Sequence, residues 1–424
     1  MLKSIRLENV GPTPALALEF GSRLNIFTGD NGLGKSFLLD IVWFTLTRSW
    51  PAEVNPRITS GFPARLHTPG EPAKIHFSMK SDRIRSGEYT YREDAWVPKT
   101  GRPHMPGLVV YAHVDGSFSV WDPMKNYWQD DDRERRLLRT RAFVFSPRDV
   151  WQGLGTKTVR YCNGLLQDVY DWQKDADWKI SIFNEILEIL SPADCILRLG
   201  TPAKMSVMDT RNIPTLVMPY GEVSVQLASA GIRRILSLAY LLTWTLTEHD
   251  RNSKLLGKDP VRQVTFLMDE VEAHLHPQWQ RKILNGLLAV SAKTLSSPLQ
   301  IQYFLATHSP LVMTSLEPVF DAAADKWFDF ELGADGAVYV TAETFEKKGD
   351  ANQWLQSEAF DLDSTYSLET SAVMSRMREL INAPLVDPSA VKEQYQELLR
   401  VLPVNDTFLL RLQAVCAAKG IALI

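Results

Sequence analysis

The sequence predicts an α/β fold, and three stretches of its 424 residues carry that prediction. The first runs from an apolar strand-like segment, Arg23-Leu24-Asn25-Ile26-Phe27-Thr28, through Gly29-Asp30-Asn31-Gly32-Leu33-Gly34-Lys35-Ser36 into a helix-like run that begins Phe37-Leu38-Leu39. The second is Val264-Thr265-Phe266-Leu267-Met268, an apolar strand ending in Asp269-Glu270. The third is Gln300-Ile301-Gln302-Tyr303-Phe304-Leu305-Ala306, which ends in Thr307-His308-Ser309-Pro310. Strand, glycine-rich turn, Lys-Ser and helix is the order of a phosphate-binding loop.

The residue types of that loop follow from its chemistry. Gly29, Gly32 and Gly34 let the backbone bend until its N–H groups converge on phosphate oxygens, with Asp30, Asn31 and Leu33 completing the turn. The helix that follows adds its positive N-terminal end. Lys35 neutralises β/γ-phosphate charge and the Ser36 hydroxyl is placed to hold Mg²⁺, so ATP with Mg²⁺ is the expected ligand pair. Of the two downstream acids, Asp269 is assigned to the metal and Glu270 to the attacking water. Glu272 is left between the metal shell and a structural hydrogen bond. His308, just past a strand of the same sheet, is placed to hydrogen-bond the γ-phosphate or the attacking water.

Two further stretches have simpler readings beside a functional one. His274-Leu275-His276-Pro277 has no third ligand nearby, so it reads as a turn touching a second subunit rather than a zinc site. Ser229-Ala230-Gly231 opens a long apolar helix; its N–H groups and hydroxyl can bind an anion, but taken alone Ser229 reads as an ordinary helix cap.

Composition narrows the class. Hydrophobic residues at 45% and charged residues at 23% are ordinary for a globular chain with a substantial core. A net charge of −4 argues against a globally basic nucleic-acid coat, though not against a local basic groove. Cys162, Cys195 and Cys416 are scattered without metal-ligand spacing and suit reduced thiols in a cytoplasmic protein. No apolar run reaches about 18 residues, so no membrane partner is expected.

In chain order, residues 2–7 and 15–20 read as paired strands that join residues 24–27 in a small sheet. Residues 48–72 read as a surface loop rich in Pro, Gly, Ser and Arg. Strands at 75–79, 89–93, 108–113 and 118–121 suggest an antiparallel sheet. The run 130–141 reads as a solvated helix face, with phosphates of DNA or RNA as the alternative partner of its arginines. Residues 142–145 form a buried strand breaking into a loop. Helical patterns follow at 159–172 and 178–190, then a short strand pair at 205–208 and 215–218.

These pieces in this order resemble the ABC-type ATPases, in the branch holding SMC, RecF and OLD-like proteins. The resemblance covers residues 1–315 and rests on residues 29–36, Ser229-Ala230-Gly231, Asp269-Glu270 with residues 272–277, and Thr307-His308-Ser309-Pro310. Phe145-Ser146-Pro147-Arg148-Asp149 is similar to the corresponding RecF stretch. The resemblance implies a two-lobed ABC-type P-loop ATPase head without a long coiled coil. It implies a head-to-tail homodimer with two ATPs sandwiched between subunits. Ser229 and Gly231 of one protomer would touch the γ-phosphate bound by Lys35 of the other. His308 would be the switch histidine and Gln152 the glutamine-loop residue. Ala230 and Ile232 depart from the family's signature loop, which bears on catalytic rate more than on ATP binding.

The chain also looks like the compact bacterial ATPases of anti-phage defence, such as the Septu- and retron-associated ones. Those work with a separate effector, often an HNH nuclease. The implied function is an ATP-hydrolysing dimeric switch that controls such an effector, with DNA or an RNA–DNA hybrid as a further candidate partner. Two alternatives stay open: a RecF-like repair ATPase that binds DNA directly, and a nucleotide-dependent binding module with negligible turnover.

The expected domains are a composite ATPase over 1–345 and a helical partner-interaction region over 346–424. The ATPase divides into a first lobe (1–150), a helical layer with the signature lobe (151–255) and the acid and switch-histidine part (256–345). In the appendage, helices are expected at 368–381, 388–402 and 407–419, with Ser389 and Asp406 as caps and Gly420 as a stop.

Overall fold

The computed structural model describes residues 1–79, 84–90, 95–98, 106–126, 142–293, 299–360, 362, 364–383 and 387–423. The charge run at 130–141 lies outside them. The chain divides into two units, Met1–Trp354 and Leu355–Ile424.

An eight-stranded sheet organises the first unit. Its strand order is Val338–Glu343, Asp325–Leu332, Leu24–Gly29, Gln300–Ala306, Gln263–Met268, Leu108–Ala112, Phe118–Trp121, Phe143–Phe145. The five strands from Asp325–Leu332 to Leu108–Ala112 are mutually parallel, and the flanking strands pair antiparallel. Parallel strands covered on both faces need near-continuous apolar sequence. Every residue of Leu24–Gly29 and of Leu108–Ala112 is accordingly buried. The register sets Phe27 beside Ala306, Leu305 beside Met268, and Met268 beside Ala112. Gly29, Asp269 and Thr307 therefore leave the sheet at one edge, the carboxyl end, where ligands bind in open α/β sheets.

A second, antiparallel sheet runs Thr13–Glu19, Leu2–Val10, Lys74–Met79, Ile84–Thr90, Ala95–Pro98. Helix Lys35–Thr47 shares one hydrophobic core with both sheets: Leu38, Trp43 and Phe44 join Leu7, Ile75 and Phe77 from one and Leu267 and Phe304 from the other. That is why the helix is apolar nearly all round, with ten of its 13 residues buried.

Three strand assignments differ from expectation for one reason. Residues 24–27 were expected beside residues 2–7, and 108–113 and 118–121 in the antiparallel sheet; all three belong to the central eight-stranded sheet, and Phe118–Trp121 too is buried at every position. Leu2–Val10 alternates buried with exposed positions, as a one-faced sheet requires, whereas Leu24–Gly29 and Leu108–Ala112 do not alternate.

Turn chemistry accounts for other differences. Helix Leu165–Lys174 begins later than expected, because Gly164 has φ 89° and the preceding Arg160–Cys162 is a strand paired with Leu154–Gly155. The loop expected after residue 145 is a helix, Pro147–Gln152, closed by a reciprocal Ser146–Asp149 capping box. The strand pair expected at 205–208 and 215–218 is two hairpins, Ala203–Lys204 with Asn212–Ile213 and Thr215–Met218 with Gly221–Ser224. The 48–72 segment is only partly surface, since it buries Trp50, Ile58 and Ala64 and stacks Trp50 on Phe44 with ring centroids 4.3 Å apart.

The helical part of the first unit holds Trp178–Leu190 and the 26-residue Ala230–Leu255. Among the described residues no helix is long and apolar enough to cross a membrane. The unit boundary falls after Trp354 rather than at 345. The Trp354 ring packs on Trp327 and Phe345, and its indole N–H donates to Glu317 at 2.8 Å, so the segment before it stays with the ATPase core. In the second unit, Leu368–Asn382, Pro388–Val401 and Thr407–Ala418 share a core containing Met377, Tyr395, Leu398 and Leu409. Asp406 caps the last helix. Asp387, rather than Ser389, caps the middle one, because Pro388 takes the first helical position.

Candidate nucleotide site

The phosphate loop is shaped by left-handed backbone. Gly29, Gly32 and Gly34 have φ of 113°, 82° and 100°. A Cβ on Gly29 would stand 2.2 Å from the Phe330 carbonyl oxygen, so the neighbouring strand also demands glycine there. Thr28, just before the loop, accepts from the Trp327 indole at 2.7 Å and donates to Asp329, which anchors the loop to that strand. Lys35 Nζ donates to the Gly29 and Asp30 carbonyls at 2.7 Å each. The buried ammonium thus lies over its own loop, at the start of a helix with no acidic residue in its first turn. Asp30 and Asn31 are exposed at the mouth, whereas Leu33 is buried.

Burial pushes the Lys35 pKa down to about 8, against the pull of Asp269 and Asp30. A polyphosphate beside the ammonium favours the charged form. Below about pH 8 Lys35 already carries its proton and ATP affinity should be flat. Above it, binding must take up a proton, and affinity should fall about tenfold per pH unit. Calorimetry at pH 9 in two buffers of different ionisation enthalpy is expected to show proton uptake, absent in Lys35→Met; equal heats in both buffers would contradict the assignment.

Asp269 is buried at the end of its strand, its N–H donating to the Ala112 carbonyl at 3.0 Å. Burial raises its pKa, and a hydrogen bond with the Ser36 side chain opposes that rise. Glu270 follows with φ 45°, a left-handed conformation rare for a residue with a side chain, which turns the chain sharply out of the strand. His308 lies in the electrostatic field of Lys35 and Asp30, and burial, then Lys35, lowers its pKa to about 4. Before nucleotide binds it is therefore a neutral hydrogen-bonding imidazole at pH 7. The fold brings Lys35, Ser36, Asp269 and His308 to one edge, and Lys35 also feels the Glu270 charge.

Glu272 makes structural hydrogen bonds: its carboxylate accepts from the Thr307 hydroxyl at 2.7 Å and from the His308 N–H. His274 and His276 are exposed in the same turn, His274 with φ 63°. Ser229 caps the 26-residue helix, accepting from Ile232 N–H, and is itself exposed. A Cβ on Gly231 would stand 2.6 Å from the His274 carbonyl oxygen, so the signature stretch and the acid turn abut within one chain. Gln152 accepts from Arg148 Nε and lines a cavity of about 490 Å³ with Asp115, Arg233, Arg234 and His274.

Arg234 was missed by the sequence reading. Its guanidinium donates to the carbonyls of His113, Val114 and Asp269 at 3.1, 3.4 and 3.1 Å, bridging the signature helix to the ends of two parallel strands. The signal was present, since Arg234 is the one charged residue in the buried run from Arg234 to Thr247 of that helix.

The residues fit a Mg²⁺-nucleotide. Among the described residues no three His, Cys, Asp or Glu side chains converge on a metal cage. Mg²⁺ does not need one, because it is held by one or two protein oxygens plus substrate phosphates. The hydrogen-bonded Ser36 hydroxyl and Asp269 carboxylate supply such a pair.

A parallel sheet carrying this loop, these acids and this histidine at one edge, with an antiparallel sheet and a helical part beside it, is an α/β fold resembling an ABC-type ATPase head. The likeness supports an enzyme that hydrolyses a nucleotide. Residues 220–314 match the family model described as AAA domain, putative AbiEii toxin, Type IV TA system. The chain is related to Septu protein PtuA of Bacillus thuringiensis, with 21% identity over 355 residues, 80% of this chain and 78% of that protein. It is also 44% identical over 50 residues to a retron Vc95 probable ATPase of Vibrio cholerae, which is 12% of this chain and 8% of that one. Similar solved structures include the SMC head domain from Thermotoga maritima, with 16% identity, 81% of this chain and 99% of that chain covered, and a TM-score of 0.38. Another is an SmcHead bound to the C-winged helix domain of ScpA, with 16% identity, 82% and 99% covered, and a TM-score of 0.45.

Proposed function

We propose that this ATPase is the dimeric switch subunit of a bacterial defence complex, closed by ATP and opened by hydrolysis, and that it controls a separate nuclease of the HNH type. The observation that carries the dimer is the exposed start of the 26-residue helix. Ser229 is open to solvent, no acid occupies the first turn, and Leu227 beside it is 78% exposed. An N-terminal helix end of this kind is an anion site awaiting a phosphate, and an exposed leucine next to it suits burial by a second subunit. The likeness to PtuA and to a retron ATPase supports the defence role and the separate effector.

In the reaction this reading assigns, residues 29–34 and Lys35 bind the phosphates. Ser36 and Asp269 would hold Mg²⁺, which would neutralise phosphate charge. Glu270 takes a proton from water as the water oxygen bonds to the γ-phosphorus and the bond to the β-phosphate oxygen breaks, giving ADP and phosphate. His308 orients the γ-phosphate or the water. Ser229 and Gly231 reach the same phosphate from the partner subunit.

The helical second unit is assigned to partner binding. Purification from the source cell is expected to bring down a nuclease-sized chain with the full protein. Deleting 355–424 should abolish that retention while leaving ATP turnover within about twofold, since the ATPase unit ends at Trp354. Retention of the partner by the shortened chain would refute the assignment. A lone protein that binds added duplex with steep salt dependence would instead favour direct DNA binding.

A further inference from the structure

We propose that Glu272 is a positioning residue of the ATPase reaction: its carboxylate fixes the histidine loop against the turn that carries Glu270. This rests on the reading of His308 given above. The turn between the acid strand and helix Pro277–Lys293 is short and internally bonded, with Ala273 N–H to the Glu270 carbonyl and Leu275 N–H to the Glu272 carbonyl, both at 2.9 Å. Glu270 swings the chain out at φ 45°, and Val271 then plugs into the core at 0% exposure while its N–H donates to the Ala306 carbonyl at 3.1 Å. With Val271 pinned, the next side chain meets the end of the neighbouring parallel strand.

There both carboxylate oxygens are used. Oε2 accepts from Thr307 Oγ1 at 2.7 Å, and Oε1 accepts from the His308 N–H. The Thr307 hydroxyl in turn accepts from the Ser309 N–H at 3.1 Å, and Thr307 N–H donates to the Phe27 carbonyl at 3.0 Å. Ser309 caps helix Pro310–Leu316 and donates to Gln280 at 2.7 Å. The backbone of His308 is thereby held on both sides. Glu272 supplies the bonds that tie it to the Glu270 turn rather than to the phosphate-loop strand alone. An ionised carboxylate accepting two N–H or O–H bonds orients its partners more firmly than neutral groups do. Bonds to two consecutive residues fix direction as well as distance. With its two oxygens taken up by Thr307 and His308, Glu272 acts through His308.

A double-mutant cycle on the full chain tests this. Misplacing a reacting group by about 1 Å costs about 100-fold in rate, so Glu272→Ala is expected to lower kcat about 100-fold. KM for ATP should stay within about twofold, because the phosphate loop is untouched. The double variant Glu272→Ala/His308→Ala should be no slower than His308→Ala alone. Glu272→Gln, which keeps one acceptor oxygen, should fall between wild type and Glu272→Ala, and it carries the same cycle should the alanine variant fail to fold. Losses that multiply in the double variant, or a rise in KM with kcat retained, would overturn the proposal. The two readings separate cleanly. Normal turnover by His308→Ala strikes the histidine's role and this proposal with it. A slow His308→Ala with multiplicative losses strikes only the positioning role.

Discussion

Glu270→Gln is expected to bind ATP, to turn it over about 1,000-fold more slowly, and to accumulate as a closed dimer of twice the chain mass. The amide keeps the size and the left-handed turn at φ 45° but cannot accept a proton from water. Lys35, Ser36 and Asp269 remain, so nucleotide binding is preserved. The closed state then persists because the step that ends it is removed. ATP can favour the dimer only by binding it better than the open chain; a swing from 1% to 99% closed needs about 5.5 kcal/mol of differential binding. Contacts from the partner's Ser229 and Gly231 to the γ-phosphate are the source assigned to that difference. Native mass measurement with ATP and with ADP decides the matter. A single-chain mass under both conditions would sink the switch.

The second large effect is complementation between two dead variants. Lys35→Ala removes the charge that the loop folds around, and Ser229→Arg fills the exposed helix start with a bulky cation. Each alone should fall to below about 1% of wild-type turnover, as removal of main phosphate contacts does. Mixed one to one, half of the dimers are heterodimers. In each of those, one site pairs an intact loop with an intact signature stretch from the other chain. Turnover should then recover to about a quarter of wild type if the two sites act independently. No recovery would mean that loop and signature stretch do not form a shared site.

The two outcomes bear on different parts of the reading. Dimer trapping tests whether hydrolysis controls assembly, and complementation tests whether the signature stretch acts across the interface. A trapped dimer without complementation would keep the switch and discard Ser229 as its contact.

The loop from Gly29 to Ser36, the acids Asp269 and Glu270 and the histidine at 308 were legible in the sequence because each follows an apolar run in linear order. Phosphate chemistry restricts which residues such positions can hold. The α/β class and the helical appendage were legible for a similar reason, since strand ends and helix periods are local. Which strands share a sheet was not local. Residues 24–29 and 108–112 joined the parallel sheet because both their faces are covered, a fact about neighbours far away in sequence. Arg234 precedes an apolar run in the sequence, and only the fold sets its guanidinium on the carbonyls of His113 and Asp269. Glu272 could not be divided between metal and hydrogen bond until residue 308 was placed beside residue 272. The sequence by itself determined which residue types stand at each strand end, because that depends on residue identity and local spacing. The tertiary structure alone decided which ends meet, because strand order and buried partners arise from packing among segments hundreds of residues apart.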